Sequence, residues 1–408
     1  MEQNRLAVDG GTPIRKKEFS KWPIYDETEV ENIKSVLDSG NWWRVSGCKV
    51  NEFEKKFAEY HSANYCIGTT NGTSALEIAL LSLGITKGDE IIIPAMTFIS
   101  TALPILKCGA VPVLVDIDID NFCIKTDLIE SVITKKSKAI IPVHMAGHAC
   151  DMDKIVDIAK KYNLYIIEDA AHAHGGEYKN KKIGSFGDAA IFSFQNGKLM
   201  TCGEGGAVVF KSKEIYDYAY LLQDVGRPRG DKEYQHLIFA GNYRMNEFQA
   251  AILLAQLNRV KIMNDTREKN SKKLDNLLKC IKGITPQRKE NYSTCTTHYM
   301  YMFYYDKQFF GNIDRGQFVE LLKSEGIPAH VCFPAIYDAE FLKNNSLDFI
   351  DYKDKLFINI ESLSNAKRIS QNVVCLPHSV IDGSNEDLYD VFNSIMKIQY
   401  NLQENINA

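Results

Sequence analysis

Short apolar runs alternate with segments of helical period through most of the chain. Strands are predicted near 65–69, 90–94, 111–116, 138–143, 164–168, 189–194 and 206–210. Helices are predicted over 26–39, 50–60, 73–83, 98–107, 126–134, 151–162 and 212–223. The strands read as continuous apolar runs such as Ile91-Ile92-Ile93, the pattern of strands buried on both faces. Strand–helix alternation of this kind predicts an α/β fold, with a mostly parallel seven-stranded sheet between helices. Apolar positions at Phe248, Ile252, Leu253, Leu257 and Val260 predict a long helix over 246–282. Beyond it lie an expected strand at 299–306 and helices at 315–325 and 384–403, a smaller α+β unit. The expected division is a wrapping segment over 1–25, a large domain over 26–255 and a small C-terminal domain over 256–408, joined by the long helix.

Chemistry concentrates at the ends of these strands. Lys198 lies in Ser193-Phe-Gln-Asn-Gly-Lys198-Leu-Met-Thr-Cys-Gly-Glu-Gly-Gly206, between two apolar strands and beside a glycine-rich turn. A lysine held there can trap a cofactor aldehyde as a Schiff base. Leu164-Tyr-Ile-Ile-Glu-Asp169 is a strand ending in an acid, placed at the usual ligand crevice of an open α/β sheet. Pyridoxal phosphate needs such an acid, because a nearby negative charge keeps its ring nitrogen protonated. Gly72, Thr73 and Ser74 follow another strand and open a helix, where free N–H groups and hydroxyls hold phosphate well. Ser193 offers a further hydroxyl, and Phe98 follows a buried strand as a ring that could stack on a pyridine. Each piece has a plainer reading as well. Thr73 and Ser74 could be helix caps, Asp169 a strand end and Phe98 core.

The ordered set Asn71-Gly72-Thr73, Pro94 to Phe98, Glu168-Asp169-Ala-Ala, Ser193 to Gly206 and Gly241-Asn242-Tyr-Arg244 resembles the DegT-type aminotransferases. These are fold-type-I pyridoxal-phosphate enzymes that mostly aminate keto-sugars. The resemblance runs from about Leu6 to the last helix. It implies that Lys198 is the Schiff-base lysine, Asp169 the pyridinium partner and Phe98 the stacking ring. It implies that Thr73, Ser74 and Ser193 bind phosphate, and that Asn242 reaches the phosphate of a neighbouring subunit in a homodimer. Gln195 and His172 depart from many sugar aminotransferases. With Gly40 to Arg44 and Val225 to Arg229, they look more like the 3-amino-5-hydroxybenzoate synthases and cyclitol aminotransferases.

The expected activity is transamination from glutamate or glutamine to a keto-sugar or cyclitol. One alternative is dehydration and aromatisation of an amino-cyclohexene acid. A second is a pyridoxal-phosphate-binding regulator without turnover. Asp169, His172 and His174 invite a metal reading, but a polar turn with His172 over the cofactor ring is the expectation, and no metal is expected. His144 and His148 are expected on loops near the substrate, and Trp42 and Trp43 as either site wall or packing.

Composition narrows the picture little further. The net charge is −4 over 408 residues, which gives no reason to expect nucleic acid or a membrane surface as a partner. No run of about 18 apolar residues is present. The first residues lack the apolar segment of a secretory leader, and the ten cysteines are scattered singly. A cytoplasmic protein with reduced, mostly buried thiols is therefore expected.

Overall fold

The computed structural model describes residues 5–344 and 360–407. Nine strands precede the long helix: β1 Tyr65–Thr69, β2 Glu90–Pro94, β3 Val111–Val115, β4 Ser137–Ile140, β5 Tyr165–Asp169, β6 Glu177–Tyr178, β7 Lys181–Lys182, β8 Ala189–Ser193 and β9 Gly206–Phe210. All seven strands expected in this half lie side by side in the order β1-β9-β8-β5-β4-β2-β3. Only β9 runs antiparallel to its neighbours. β6 and β7 form a small hairpin that Ser293–Cys295 extends. Ile91, Ile92 and Ile93 of β2 are fully buried, as strands covered on both faces require.

The helices of this half are α1 Glu27–Ser39, α2 Lys49–Tyr60, α3 Gly72–Ser82, α4 Leu103–Lys107, α5 Met152–Tyr162 and α6 Lys213–Gln223. α5 buries Met152, Ile155, Ile158 and Ala159 on one side, starts at the Asp151 cap and ends at Asn163 in the left-handed region. α3 is apolar around most of its surface and is buried accordingly. Three expectations need correction. The helix expected over 126–134 is two short 3-10 turns, Thr126–Leu128 and Glu130–Val132. β-branched Ile129, Val132 and Ile133 with Ser131 disfavour a continuous α-helix there. The helix expected over 98–107 is broken ahead of α4, because Pro104 cannot continue a preceding helix and starts a new one instead. β4 stops at Ile140, before Pro142 would cost the ladder a donor.

α7, Glu247–Leu278, begins with a capping box between Asn246 and Gln249 and runs for 32 residues. Its early residues Ala250, Leu253 and Leu254 belong to the core around the main sheet. Its last turns place Leu274 and Leu278 in a second core. That second core is built on an antiparallel sheet of Ile284–Pro286, Met300–Tyr305, Val373–Pro377 and His330–Val331. Helices Arg315–Ser324 and Asn385–Asn407 accompany it. All ten cysteines are free thiols. Among the described residues no helix is long and apolar enough to cross a membrane.

Glu168, one residue before the end of β5, pins the loop leading into β8. Its fully buried carboxylate accepts N–H bonds from Gly184, Phe186 and Gly187 at 2.8–2.9 Å. Burial pushes this carboxyl up, but His144 and the N–H groups of Gly187 and Gly184 outweigh it and hold it below the usual carboxylate range. The stabilisation is therefore complete above the ordinary carboxylate value and lost as pH falls through the lower folded one. Glu168→Ala strands two buried N–H donors and one part-buried one, and a loss of roughly 3 kcal/mol is expected in denaturant unfolding. A loss under about 1 kcal/mol would mean the loop is held by other means.

Candidate active site

Asp169 ends β5 at the carboxyl edge of the parallel strands and is buried. Its Oδ2 accepts from the Thr101 hydroxyl at 2.9 Å, and Thr101 in turn lies 3.0 Å from the Thr97 hydroxyl. Its Oδ1 accepts from the Ala171 N–H at 3.2 Å. Burial pushes this carboxyl up, against those two donors and the charge of Lys198. The side chain is thus fixed in direction, with its charge incompletely balanced.

Lys198 follows β8 in a tight turn. Its N–H donates to the Gln195 carbonyl at 2.8 Å, and the Gly197 N–H donates to Gln195 Oε1 at 2.8 Å. The side chain is buried, with Nζ 4.2 Å from the centre of the Tyr299 ring. Burial pushes the amine down to about 8, with Asp169 pulling the other way. An amine in that range gains and loses a proton readily near neutral pH.

A third group lies at the start of α3. Asn71 is the helix cap, accepting from the Ser74 N–H at 2.8 Å. Thr73 and Ser74 are therefore not the caps; they sit in the first turn beyond it. The Thr73 hydroxyl donates to Ser100 at 3.0 Å, and Thr70 donates to Ser74 Oγ at 3.1 Å. Gly72 is required by close approach, since a Cβ there would stand 2.8 Å from Cβ of Ser193.

Gly72, Thr73, Ser74, Phe98, Asp169, His172, Ser193 and Lys198 all line one cavity of about 780 Å³. Phe98 is half-exposed, with the Phe333 ring 5.7 Å away. His172 stacks on Tyr299 at 4.2 Å and 15° and faces Phe333 at 6.0 Å. Burial, then the charges of Lys198 and His174, hold His172 well below its ordinary value, so it is neutral. Its buried Nδ1 has no hydrogen-bond partner among the described residues.

Asn242 lies outside the cavity. It is exposed, beside cavity-lining Tyr243. His174 turns away into the core between Phe192 and Phe194, so Asp169, His172 and His174 do not converge. The expectation that His144 and His148 lie near the substrate fails. Neither lines the cavity. His144 is fully buried 3.3 Å from Glu168, and His148 packs edge-on against His298. Trp42 and Trp43 remain about half-exposed and are absent from the cavity wall.

The family model of the DegT/DnrJ/EryC1/StrS aminotransferases matches residues 23–396. The chain belongs to this family. DegT-family enzymes depend on pyridoxal phosphate, and this chain is a pyridoxal-phosphate-dependent aminotransferase among them. It is 38% identical to the 3-amino-5-hydroxybenzoate synthase of Amycolatopsis mediterranei (strain S699) over 381 residues, 91% of this chain and 95% of that protein. It is 30% identical to the L-glutamine:2-deoxy-scyllo-inosose aminotransferase of Streptomyces kanamyceticus, covering 98% and 97% of the two chains. A crystal structure of 3-amino-5-hydroxybenzoic acid synthase superposes with a TM-score of 0.89 at 37% identity, over 95% of this chain and all of that one.

The cavity of this DegT-family chain fits the cofactor on its own chemistry. Hydroxyls and N–H groups gather at the α3 N-terminus, the arrangement that a phosphate group would need. A buried carboxylate and a buried amine of lowered affinity for protons line the same cavity. Sequence reasoning missed Thr101, Tyr299, Phe333 and Tyr243. Thr101 follows Thr97 by one helical turn, a weak signal. Tyr299 and Phe333 come from beyond α7 and carry no local one.

Proposed function

We propose that this enzyme transfers the amino group of L-glutamine to a keto group on a cyclitol or sugar ring, with Lys198 and Asp169 as its catalytic residues. The observation that carries the proposal is the shared cavity of Lys198, Asp169 and the α3 N-terminus, in a chain of this family. The relatives named for glutamine-dependent amination of inososes support the donor and the ring class.

When bound, pyridoxal phosphate supplies an electron sink for the pair left when a bond at the amine-bearing carbon breaks. Asp169, fixed by Thr101 and Ala171, holds a proton on the ring nitrogen. Gly72, Thr73, Ser74 and Ser193 hold the phosphate. Lys198 Nζ, once free, would take a proton from the amine-bearing carbon and deliver it two atoms along, to the carbon across the nitrogen. Its lowered proton affinity suits it to both directions. The neutral His172, stacked on Tyr299 in the cavity wall, would lie over the cofactor ring. Purified enzyme should aminate members of a keto-cyclitol and keto-sugar panel only when glutamine or glutamate is supplied.

A second reading is favoured by the 38% identity to the aminohydroxybenzoate synthase. Here Lys198 Nζ would remove a ring proton and water would leave, giving an aromatic product.

Asn242 and the exposed rings support a homodimer that shares its active sites. Phe239 is fully exposed and Tyr234 largely so. Arg227 links this region to Trp43, lying 5.5 Å from that ring and 6.0 Å from Tyr234. Two-fold dimers are the commonest closed assembly. Mixing Lys198→Ala with Asn242→Ala protein is expected to restore about a quarter of the wild-type rate, since half the dimers are mixed and each has one intact site. Failure of the mixture to exceed its two components, after subunit exchange is verified, would remove the shared-site reading.

A further inference from the structure

The turn that carries Lys198 is bordered by open space on two sides. The active-site cavity touches Lys198 and Gln195, and a second cavity of about 300 Å³ touches Gly197. Tyr299 and Phe333 line both. Close packing therefore cannot by itself fix this turn, and its polar contacts carry that task.

One contact comes from far away in the chain. Trp22 Nε1–H donates to the Asn196 carbonyl at 2.8 Å. The indole meets His378 edge-on at 4.5 Å and 85°, and His378 lines the second cavity together with Gly197. His378 Nδ1 is 2.9 Å from Asp382, which Arg267 of α7 holds at 2.7 and 3.2 Å. The Arg267 guanidinium, fully buried, also lies 5.7 Å from the Trp22 ring. The segment bearing Trp22 is itself tied down at both ends. Arg15 pairs with Asp387 and Asp390 at 2.6 and 2.7 Å. The Ile24 carbonyl accepts from Gln256 of α7 at 2.8 Å.

We infer that Trp22, backed by His378, is a positioning residue that fixes the Asn196–Gly197 peptides and so aims Lys198 at the cofactor. The inference rests on the proposed role of Lys198. The N-terminal segment is thus part of the active-site machinery. The Trp22 N–H holds the turn without touching substrate or cofactor. Removing it leaves Lys198 present and the phosphate cradle intact, but lets the amine sample directions from which it cannot reach the cofactor aldehyde.

The test uses the full chain stripped of cofactor, with Trp22→Phe, His378→Gln and Lys198→Ala variants. Trp22→Phe keeps an aromatic ring against His378 and removes the N–H together with one ring of the indole. His378→Gln approaches the same bracket from its other side, leaving Arg267 paired with Asp382. Three quantities are measured: the rate of covalent capture of pyridoxal phosphate, trapped with borohydride; the affinity for pyridoxamine phosphate, which needs no lysine; and the thermal midpoint. Both bracket variants are expected to slow capture by roughly tenfold, with pyridoxamine phosphate affinity and midpoint unchanged. Capture within twofold of wild type in a folded variant would overturn the inference. So would a parallel fall in all three quantities, which marks a merely structural role. Lys198→Ala separates the two claims: if it still captures the cofactor, the role of Lys198 fails, whatever the Trp22 result.

Discussion

Replacing Lys198 with alanine will abolish covalent attachment of pyridoxal phosphate and lower turnover by at least roughly ten-thousandfold. The side chain is buried in the cavity beside Tyr299, and among the described residues it is the one lysine besides Lys107 on the cavity wall. Lys107 is committed to Glu77 at 2.7 Å, which leaves it no free role. The yellow colour of the wild-type protein should be lost from the polypeptide on dialysis of the variant. The pH dependence gives a second handle. Burial brings the Lys198 amine to about 8. The rate at which wild-type apoprotein captures cofactor should rise about tenfold per pH unit below that value and level off above it. The sign follows from the unprotonated amine being the nucleophile. A variant that still holds cofactor covalently and turns over at the wild-type rate would end the assignment.

Asp169→Ala will cost at least roughly a hundredfold in turnover while leaving the fold largely intact. Without a carboxylate, the ring nitrogen loses its proton at neutral pH and the ring withdraws electrons poorly. The fold should tolerate the change because only the Thr101 hydroxyl and the Ala171 N–H lose an acceptor, and both border the cavity region where water can replace it. Asp169→Asn keeps the shape and the acceptor oxygen but removes the charge. It should be nearly as slow as the alanine variant. Turnover of either variant within about threefold of wild type would contradict the role.

The residues that announced themselves did so through local pattern. Asp169 closes an apolar strand, Gly72-Thr73-Ser74 opens a helix after another, and Lys198 sits in a glycine-rich turn between two more. Each needs only its own strand–turn–helix context, and the parallel sheet then brings the strand ends together. The seven strands were legible for the same reason, since a strand buried on both faces is a plain apolar run. What stayed hidden depends on distant placement. Tyr299 reaches Lys198 only because α7 carries the second core back against the first. Trp22 reaches Asn196 only because its segment is tied to α7 and the C-terminal helix. His144 and His148 misled because a histidine in a loop-like stretch looks functional. Here one hydrogen-bonds the buried Glu168 and the other packs on His298. The stretch over 126–134 misled because its apolar spacing fits a helix, while its β-branched residues resist one.

Amino transfer is tested most directly by following the nitrogen. Purified enzyme is incubated with glutamine labelled with nitrogen-15 at the α-amino group and with a keto-cyclitol that it accepts, and the products are read by mass spectrometry. The account predicts the label in the amine of the cyclitol, with one 2-oxo acid formed per amine. An aromatic product that appears without any amino donor, from an amino-cyclohexene acid and with no label transferred in the cyclitol reaction, would contradict it.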